Sequence, residues 1–173
     1  MTDLLAEKLI RDIPDFPKPG ILFKDITPVL GDFPAFSQVI DLFAEWASSR
    51  KPDVIIGVES RGFVFGAPVA LQMGVGFVPV RKLGKLPHHT IQEEYALEYG
   101  TAVVEVHRDA VLPGQRALIV DDLLATGGTA VASARLVEAL GGQVIGFSFL
   151  IELGFLAGRD KLSAYDVQAL IKY

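Results

Sequence analysis

Two adjacent aspartates, Asp121 and Asp122, follow a short apolar run and precede a loop of threonine and glycine at residues 126–129. An apolar pattern with helical spacing begins directly after the loop. Backbone N–H groups at a helix start are unpaired and lie at the positive end of the helix dipole, so they suit a phosphate. Carboxylates repel a phosphate but suit sugar hydroxyls, or a metal ion that bridges to the phosphate. The stretch therefore predicts a site for a phosphorylated sugar.

Two common phosphate motifs are absent from the sequence. Lys85 follows a glycine, but the next residue carries no hydroxyl, and Pro79 stands where the first glycine of a nucleoside-triphosphatase loop belongs. The dinucleotide-binding pattern G-x-G-x-x-G does not occur either. The chemistry of the chain therefore rests on the aspartate pair and the loop that follows it.

The elements that must position this loop alternate between helices and strands. Helical spacing predicts helices over residues 2–12, 33–48, 63–73 and from the loop to about 140. Apolar runs predict strands at 21–23, 53–57, 76–80, 116–120, 143–150 and 167–171, a hairpin over 92–99 and 101–106, and a turn at 26–31. Residues 154–162 are expected to be irregular or a short helix. The alternation favours an α/β fold with a mostly parallel central sheet flanked by helices.

Composition narrows the class of protein further. A chain of 173 residues fits one domain, and a net charge of −5 without a basic run argues against a nucleic-acid binder. No apolar stretch approaches the ~20 residues of a membrane span, and the charged start lacks a signal-peptide core. With no cysteine, the expected location is cytoplasmic. Positive charge for an anionic substrate is concentrated locally, at Arg81, Lys82 and Lys85.

Residues 120–129 resemble the motif of type I phosphoribosyltransferases that binds 5-phosphoribosyl 1-pyrophosphate (PRPP). Residues 19–28, 59–63, 81–87 and 97–100 are similar, in the same order, to the adenine-specific members of that family. The resemblance runs from about Ile13 to Tyr173. It implies a single phosphoribosyltransferase domain over 1–173, with an N-terminal arm or base-binding hood at 1–32 and a flexible flap hairpin at 83–107.

The resemblance also implies the reaction: adenine displaces pyrophosphate from PRPP and gives AMP in purine salvage. The implied catalytic residues are Glu98, which handles the proton of the base, Tyr99, which closes over PRPP, and Arg61, which meets the pyrophosphate. Adenine is expected to stack on Phe23 and to be read by the backbone of Leu22 and Lys24. The implied PRPP-binding residues are Ser60, Lys82, Asp121, Asp122, Ala125, Thr126, Gly127, Gly128 and Thr129.

The cofactor and partners follow from the same resemblance. Mg²⁺ is expected to be held mainly by PRPP or pyrophosphate, near Asp121 and Asp122, because no residue is assigned as a certain metal ligand. The family is typically homodimeric, and no membrane or nucleic-acid partner is expected. His88, His89 and His107 have no spacing of a metal cage and are predicted to be polar loop or strand residues.

Two alternatives remain open at this stage. Members of the family that act on hypoxanthine and guanine usually have an aspartate where Ala125 stands, and a methyl group cannot exchange a proton. Xanthine-type members also carry alanine there, so another purine such as xanthine stays possible. The second alternative is a non-catalytic sensor of PRPP or nucleotides that regulates gene expression. Such a protein should carry a basic face or an added DNA-binding module.

Overall fold

The computed structural model describes residues 4–96 and 100–173, and the chain divides into two compact units between Phe43 and Ala44. The elements of the first unit are helix α1 (Leu5–Leu9), strands β1 (Arg11–Pro14) and β2 (Leu22–Asp25), helix α2 (Thr27–Gly31) and the first part of helix α3 (Phe33–Ser48). β1 and β2 form a two-stranded antiparallel sheet in which Ile13 pairs with Phe23.

Two predictions for this unit were wrong, one in where a helix ends and one in the type of element. The predicted helix over 2–12 ends at Leu9, because Arg11 enters β1 and its side chain binds Asp25 on the facing strand at 2.7 Å. The predicted turn at 26–31 is helix α2. Asp25 accepts a hydrogen bond from the Thr27 N–H at 2.9 Å, and Pro28 lies in the first turn, where its missing N–H costs nothing.

The second unit is built on a seven-stranded sheet. Its strands are β3 (Val54–Val58), β4 (Gly76–Lys82), β5 (Thr90–Ala96), β6 (Thr101–His107), β7 (Arg116–Leu124), β8 (Gln143–Glu152) and β9 (Val167–Lys172), in the order β5-β6-β4-β3-β7-β8-β9. β4, β3, β7, β8 and β9 are parallel, whereas β6 runs antiparallel to both β4 and β5. The predicted α/β class with a mostly parallel sheet is confirmed.

Helices α4 (Arg61–Met73) and α5 (Gly128–Ala139) cover opposite faces of the sheet. Gly66 of α4 packs near the side chain of Ile55, whereas Ala130 and Val137 of α5 share a buried cluster with Ile56. Because neighbouring residues of a strand point to opposite faces, the two helices lie on the two sides of β3. α4 continues through Pro68 without a break.

Strand β7 is longer than predicted. The apolar run ends at Val120, but Asp121 pairs with Phe149 and Leu124 pairs with Glu152 in register with β8. The two aspartates therefore lie inside the strand and not on a tip beyond it. Two short 3₁₀ helices, Gly154–Leu156 and Gly158–Leu162, connect β8 to β9.

The predicted hairpin is confirmed as β5 and β6, and residues 97–99 between them lie outside the described residues. That residues 83–107 form a flexible flap remains a prediction. The assignment of residues 1–32 as an N-terminal arm or base-binding hood also remains a prediction. Among the described residues, no helix has the length and apolarity to cross a membrane.

Candidate active site

A cleft of about 330 Å³ lies where β3, β4 and β7 end. The chain leaves β3 for β4 on one side and leaves β7 for β8 on the other, so adjacent strands β3 and β7 form a topological switch point. Ligands of parallel α/β sheets bind in the crevice that such a point opens at the carboxyl ends of strands. The cleft is lined by Glu59, Ser60, Arg61, Lys82, Tyr95, Val104, Asp121, Asp122, Leu123, Ala125 and Thr129.

An ion pair between Arg61 and Asp122 spans this switch point. Arg61 begins α4 three positions after the last residue of β3, and its Nε donates to Asp122 Oδ2 on β7 at 2.5 Å. The Asp122 side chain is 6% exposed and that of Arg61 is 45% exposed. The buried carboxylate therefore holds a cation whose side chain still reaches the cleft.

Asp121 is the second carboxylate of the pair, and its Oδ1 accepts the N–H of Asp122 at 2.8 Å. Burial raises the pKa of Asp121 well above its ordinary value, and the neighbouring Asp122 charge raises it further. A cation or hydroxyl donor placed in the cleft would relieve both penalties. The site is thus poised to accept positive charge or donors beside Asp121.

Gly62 allows α4 to begin this close to β7. A Cβ on Gly62 would lie 2.7 Å from the Val120 carbonyl oxygen and 3.0 Å from Asp121 Oδ1. Only a residue without a side chain permits that approach, so the distance between Arg61 and the aspartates depends on Gly62. Gly62 falls within residues 59–63, which carry the family resemblance, but no role was predicted for it.

The predicted phosphate loop leads directly into α5. Gly127 has φ +77°, the left-handed conformation that glycine adopts without strain, and Gly128 is the first helical residue. A small cavity of about 70 Å³ is lined by the whole loop, from Ala125 to Thr129. The cavity therefore lies at the N-terminus of a twelve-residue helix, as the sequence predicted for a phosphate.

Backbone from two other segments packs against this loop. A Cβ on Gly127 would lie 2.6 Å from the carbonyl oxygen of Gly158, which follows β8. A Cβ on Gly128 would lie 3.1 Å from both the Ala96 carbonyl oxygen and the Tyr95 ring on β5. The loop is thus enclosed by the last residues of β5, next to the hairpin turn, and by the segment after β8.

Glu59 organises the third side of the cleft. Its Oε2 accepts the N–H of Lys82 at 2.9 Å and the Arg81 Nε–H at 3.2 Å. Burial pushes the pKa of Glu59 up, but the hydrogen bonds from Lys82 and Arg81 outweigh it, and the pKa is lowered overall. Glu59 therefore remains ionised, and its hydrogen bonds fix the end of β4, from which the predicted ligand Lys82 extends. The peptide bond between Glu59 and Ser60 is cis.

The predicted base-binding residues Leu22, Phe23 and Lys24 all lie on β2 of the first unit. Phe23 borders an apolar cavity of about 190 Å³ and meets Phe16 edge-on, with ring centroids 5.2 Å apart. The Lys24 ammonium binds Asp12 at 2.6 Å. The side chain of Lys24 is therefore engaged within its own sheet, which agrees with a role for its backbone in reading a base.

The structure brings most of the predicted PRPP-binding residues together in the second unit. Glu98 and Tyr99 lie outside the described residues, so their roles stay predictions. Sequence reasoning missed Gly62, Tyr95 and Gly158. Gly62 had a detectable signal, a glycine directly after an arginine at the end of a predicted strand, whereas Tyr95 and Gly158 had none that separated them from ordinary strand or loop residues.

The mostly parallel sheet, with paired carboxylates on one strand and a glycine loop at the start of a helix, defines the chain as an α/β protein. A family model described as "Phosphoribosyl transferase domain" matches residues 30–171. The chain belongs to this phosphoribosyl transferase family, which confirms the resemblance seen in the sequence.

Individual relatives agree with that assignment. The adenine phosphoribosyltransferase of Desulfitobacterium hafniense (strain Y51) is 60% identical over 173 residues and matches over 100% of both chains. The crystal structure of adenine phosphoribosyltransferase from Thermoanaerobacter pseudethanolicus superposes with a TM-score of 0.95 at 61% identity, covering 97% of this chain and 98% of that chain. The Saccharomyces cerevisiae enzyme, solved with an imino-altritol bisphosphate and adenine, gives a TM-score of 0.91 at 42% identity, covering 95% and 96%.

Proposed function

We propose that this protein transfers the 5-phosphoribosyl group from PRPP to adenine, giving AMP and pyrophosphate. The observation that carries the proposal is the cleft at the switch point, where an aspartate pair, an arginine bound to Asp122 and a phosphate loop converge. The relatives named above supply the identity of the base, because each carries the name of an enzyme that acts on adenine.

Each part of the cleft suits one part of PRPP. The amides of Ala125–Thr129 and the start of α5 suit the 5′-phosphate. Asp121 and Asp122 suit the ribose hydroxyls, which are donors that a carboxylate accepts. Arg61 and Lys82 suit the pyrophosphate, where they stabilise the negative charge that grows on the leaving group. The residues thus bind the substrate at both ends and orient its C1 for attack.

The donor set also fits a Mg²⁺ ion that arrives with the substrate. Among the described residues, no group of three or more histidine or carboxylate side chains is arranged to hold a metal ion. Two carboxylates are available in Asp121 and Asp122, and Mg²⁺ commonly binds through one or two carboxylates together with substrate phosphates. When bound, the ion would neutralise charge on the departing pyrophosphate.

Base recognition is assigned to β2. Phe23 offers an aromatic face for a purine, and backbone groups of Leu22 and Lys24 offer the donor and acceptor that adenine's edge requires. Glu98 is proposed to handle the proton of the base and Tyr99 to close over PRPP. Glu98→Gln should lower kcat much more than it changes the Kd for PRPP, because an amide keeps the size of the side chain but cannot exchange the proton.

The direct test is turnover by the purified protein. With PRPP and Mg²⁺, adenine should give AMP and pyrophosphate in equal amounts, measured by chromatography and a coupled pyrophosphate assay. Xanthine, hypoxanthine and guanine are run in parallel under the same conditions. Turnover of another base without turnover of adenine would refute the assignment, and binding of PRPP without turnover of any base would favour a regulator.

The protein is further proposed to act as a homodimer in the cytoplasm. Support for self-association comes from α4, where Leu71 is 85% exposed and Val64, two turns earlier on the same face, is 37% exposed. Light scattering coupled to size-exclusion chromatography should give twice the chain mass of 18.7 kDa. Leu71→Glu should shift the protein to the monomer mass if this face forms the interface.

A further inference from the structure

An ion pair between a buried glutamate and a partly exposed arginine lies behind the phosphate loop. Glu152 is 4% exposed at the end of β8, and the guanidinium of Arg159 contacts both of its oxygens, through Nε at 3.1 and 3.0 Å. A second nitrogen of Arg159 donates to Glu152 Oε2 at 2.5 Å, and a third donates to the Val167 carbonyl oxygen at 3.0 Å. All three nitrogens of the guanidinium are therefore fixed by this corner of the sheet.

The residue before Arg159 touches the phosphate loop through its backbone. A Cβ on Gly158 would overlap the Ala125 carbonyl oxygen and lie 2.9 Å from the Gly127 nitrogen. In return, a Cβ on Gly127 would lie 2.6 Å from the Gly158 carbonyl oxygen. Two backbones in such contact cannot move independently, so the position of Gly158 limits the positions open to the loop.

The other end of this segment is also tied to the strand that carries the loop. The N–H of Leu153, next to Glu152, donates to the Leu124 carbonyl oxygen at 2.9 Å. Leu124 is the last residue of β7, directly before Ala125. The segment from Glu152 to Arg159 is therefore tied to the loop near Leu124 and at Gly158. The ion pair links the two ends of this segment, and the Lys172 ammonium adds a contact with Glu152 Oε1 at 3.5 Å.

We propose that Glu152 and Arg159 are positioning residues that hold Gly158 against the loop at 125–128 and so set its geometry for the 5′-phosphate of the sugar. This inference rests on the proposed function, because it takes the loop to be the phosphate site. Neither side chain lines the cleft, so both act through the backbone of Gly158.

Arginine is required here for its shape as well as its charge. Its planar fork reaches both Glu152 oxygens and the Val167 carbonyl at once, whereas a lysine ammonium is a single point of charge. The hydrogen bond from Arg159 lowers the pKa of Glu152, which keeps the pair ionised at neutral pH. Arg159→Lys should therefore keep the charge but lose some of the hydrogen bonds to Glu152 and to the Val167 carbonyl oxygen.

The experiment compares Arg159→Lys and Glu152→Gln with the wild type by calorimetric titration with ribose 5-phosphate, which lacks both base and pyrophosphate. The control is Asp166→Asn, which removes a different ion pair, to Arg50 at 3.1 Å, near the opposite ends of the parallel strands. Both site variants should bind ribose 5-phosphate about tenfold more weakly and raise the KM for PRPP by a similar factor, because small misplacements of a binding group are costly. The KM for adenine and the affinity of the control should stay within about twofold of the wild type.

A lower melting temperature with unchanged ribose 5-phosphate affinity would assign the pair a structural role only and overturn the inference. If Arg159→Lys does not fold, Glu152→Gln gives the same reading, since it keeps the side-chain shape and one acceptor oxygen. Failure of the wild type itself to bind ribose 5-phosphate would instead refute the proposed function, and the inference with it.

Discussion

Arg61 and Asp122 are 61 positions apart in the chain, yet their side chains meet at 2.5 Å across the gap between β3 and β7. The pair joins the turn that begins α4 to the strand that carries the aspartates. The pair places a cation and an anion at the same switch point. Replacing either side chain by a neutral one would therefore remove the charge that offsets the other.

Arg61→Lys tests the importance of that geometry. A lysine keeps the charge but loses the planar fork, so kcat/KM for PRPP should fall about 100-fold, or ~2.7 kcal/mol of transition-state stabilisation. Steady-state kinetics with varied PRPP gives the value. Arg50→Lys, which alters a cation near the opposite ends of the strands, serves as the control and should retain activity. Equal kcat/KM in Arg61→Lys and wild type would show that charge alone suffices.

Asp121→Asn should stabilise the fold while impairing the enzyme. Burial and the nearby Asp122 charge raise the pKa of Asp121, so its ionised form costs folding free energy at neutral pH. The amide removes that cost, by about 1 kcal/mol, but also alters a group that is proposed to bind the ribose. Thermal unfolding at pH 7 and PRPP kinetics measure the two effects.

The effect of Asp121→Asn on stability should depend on pH. Because the folded protein holds the Asp121 proton more tightly, wild-type stability falls relative to the variant as pH rises above the ordinary pKa of 3.8. The variant's advantage in melting temperature should therefore be small near pH 4 and larger at pH 7. An Asp121→Asn protein that is less stable than wild type at pH 7 would contradict the proposed burial cost.

Gly62→Ala should damage the site through the backbone. The added methyl would meet the Val120 carbonyl oxygen at 2.7 Å and push the start of α4 from β7. Overpacking of this kind costs about 1–3 kcal/mol, and the displaced Arg61 should lower kcat/KM for PRPP about tenfold or more. Gly76→Ala is the matched control, since a Cβ there meets only Val54 Cγ2 at 4.0 Å. If Gly62→Ala and Gly76→Ala have the same kcat/KM for PRPP, the close approach at Gly62 does not contribute to activity.

Tyr165, which does not line the cleft, allows a prediction about the stability of the fold at alkaline pH. Its hydroxyl donates to Glu138 Oε1 at 2.7 Å, and burial together with that bond raises its pKa from 10.0 to about 12. A raised pKa stabilises the fold fully below pH 10 and loses that effect as pH rises through 12. Tyr165→Phe should cost about 1 kcal/mol at pH 8, and the difference from wild type should shrink above pH 10 in urea unfolding. A difference that stays constant to pH 12 would rule out the Glu138 bond as its source.

Local patterns in the sequence predicted most of the fold. The helix over 33–48 has the predicted bounds because its apolar spacing is regular and Asp32 caps it, accepting the Ala35 N–H at 2.9 Å. The extension of β7 past Val120 was not predictable from polarity, since paired carboxylates are rare inside strands. Only the register with β8 keeps Asp121 and Asp122 in the ladder.

The residues of the candidate site also include some that local sequence predicts and some that it does not. The loop at 126–129 was predictable because glycine and threonine before a helical pattern have a local physical meaning. The contact of Gly158 with Ala125 was not, because the need for glycine comes from a backbone more than 30 positions away. Such requirements depend on tertiary packing, and a single sequence carries no local trace of them.

The contacts at Gly62, Gly127 and Gly158 are backbone against backbone, whereas the cavity beside Phe16 and Phe23 is bounded by side chains. A wall of main chain cannot be reshaped by exchanging one residue for another of different size, but a wall of side chains can. Under selection for a new substrate, the proposed sugar-phosphate site should therefore remain nearly constant while the proposed base site diversifies. A laboratory effort to accept altered purines would accordingly begin with libraries at Ile13, Phe16 and Phe23, leaving the three glycines untouched.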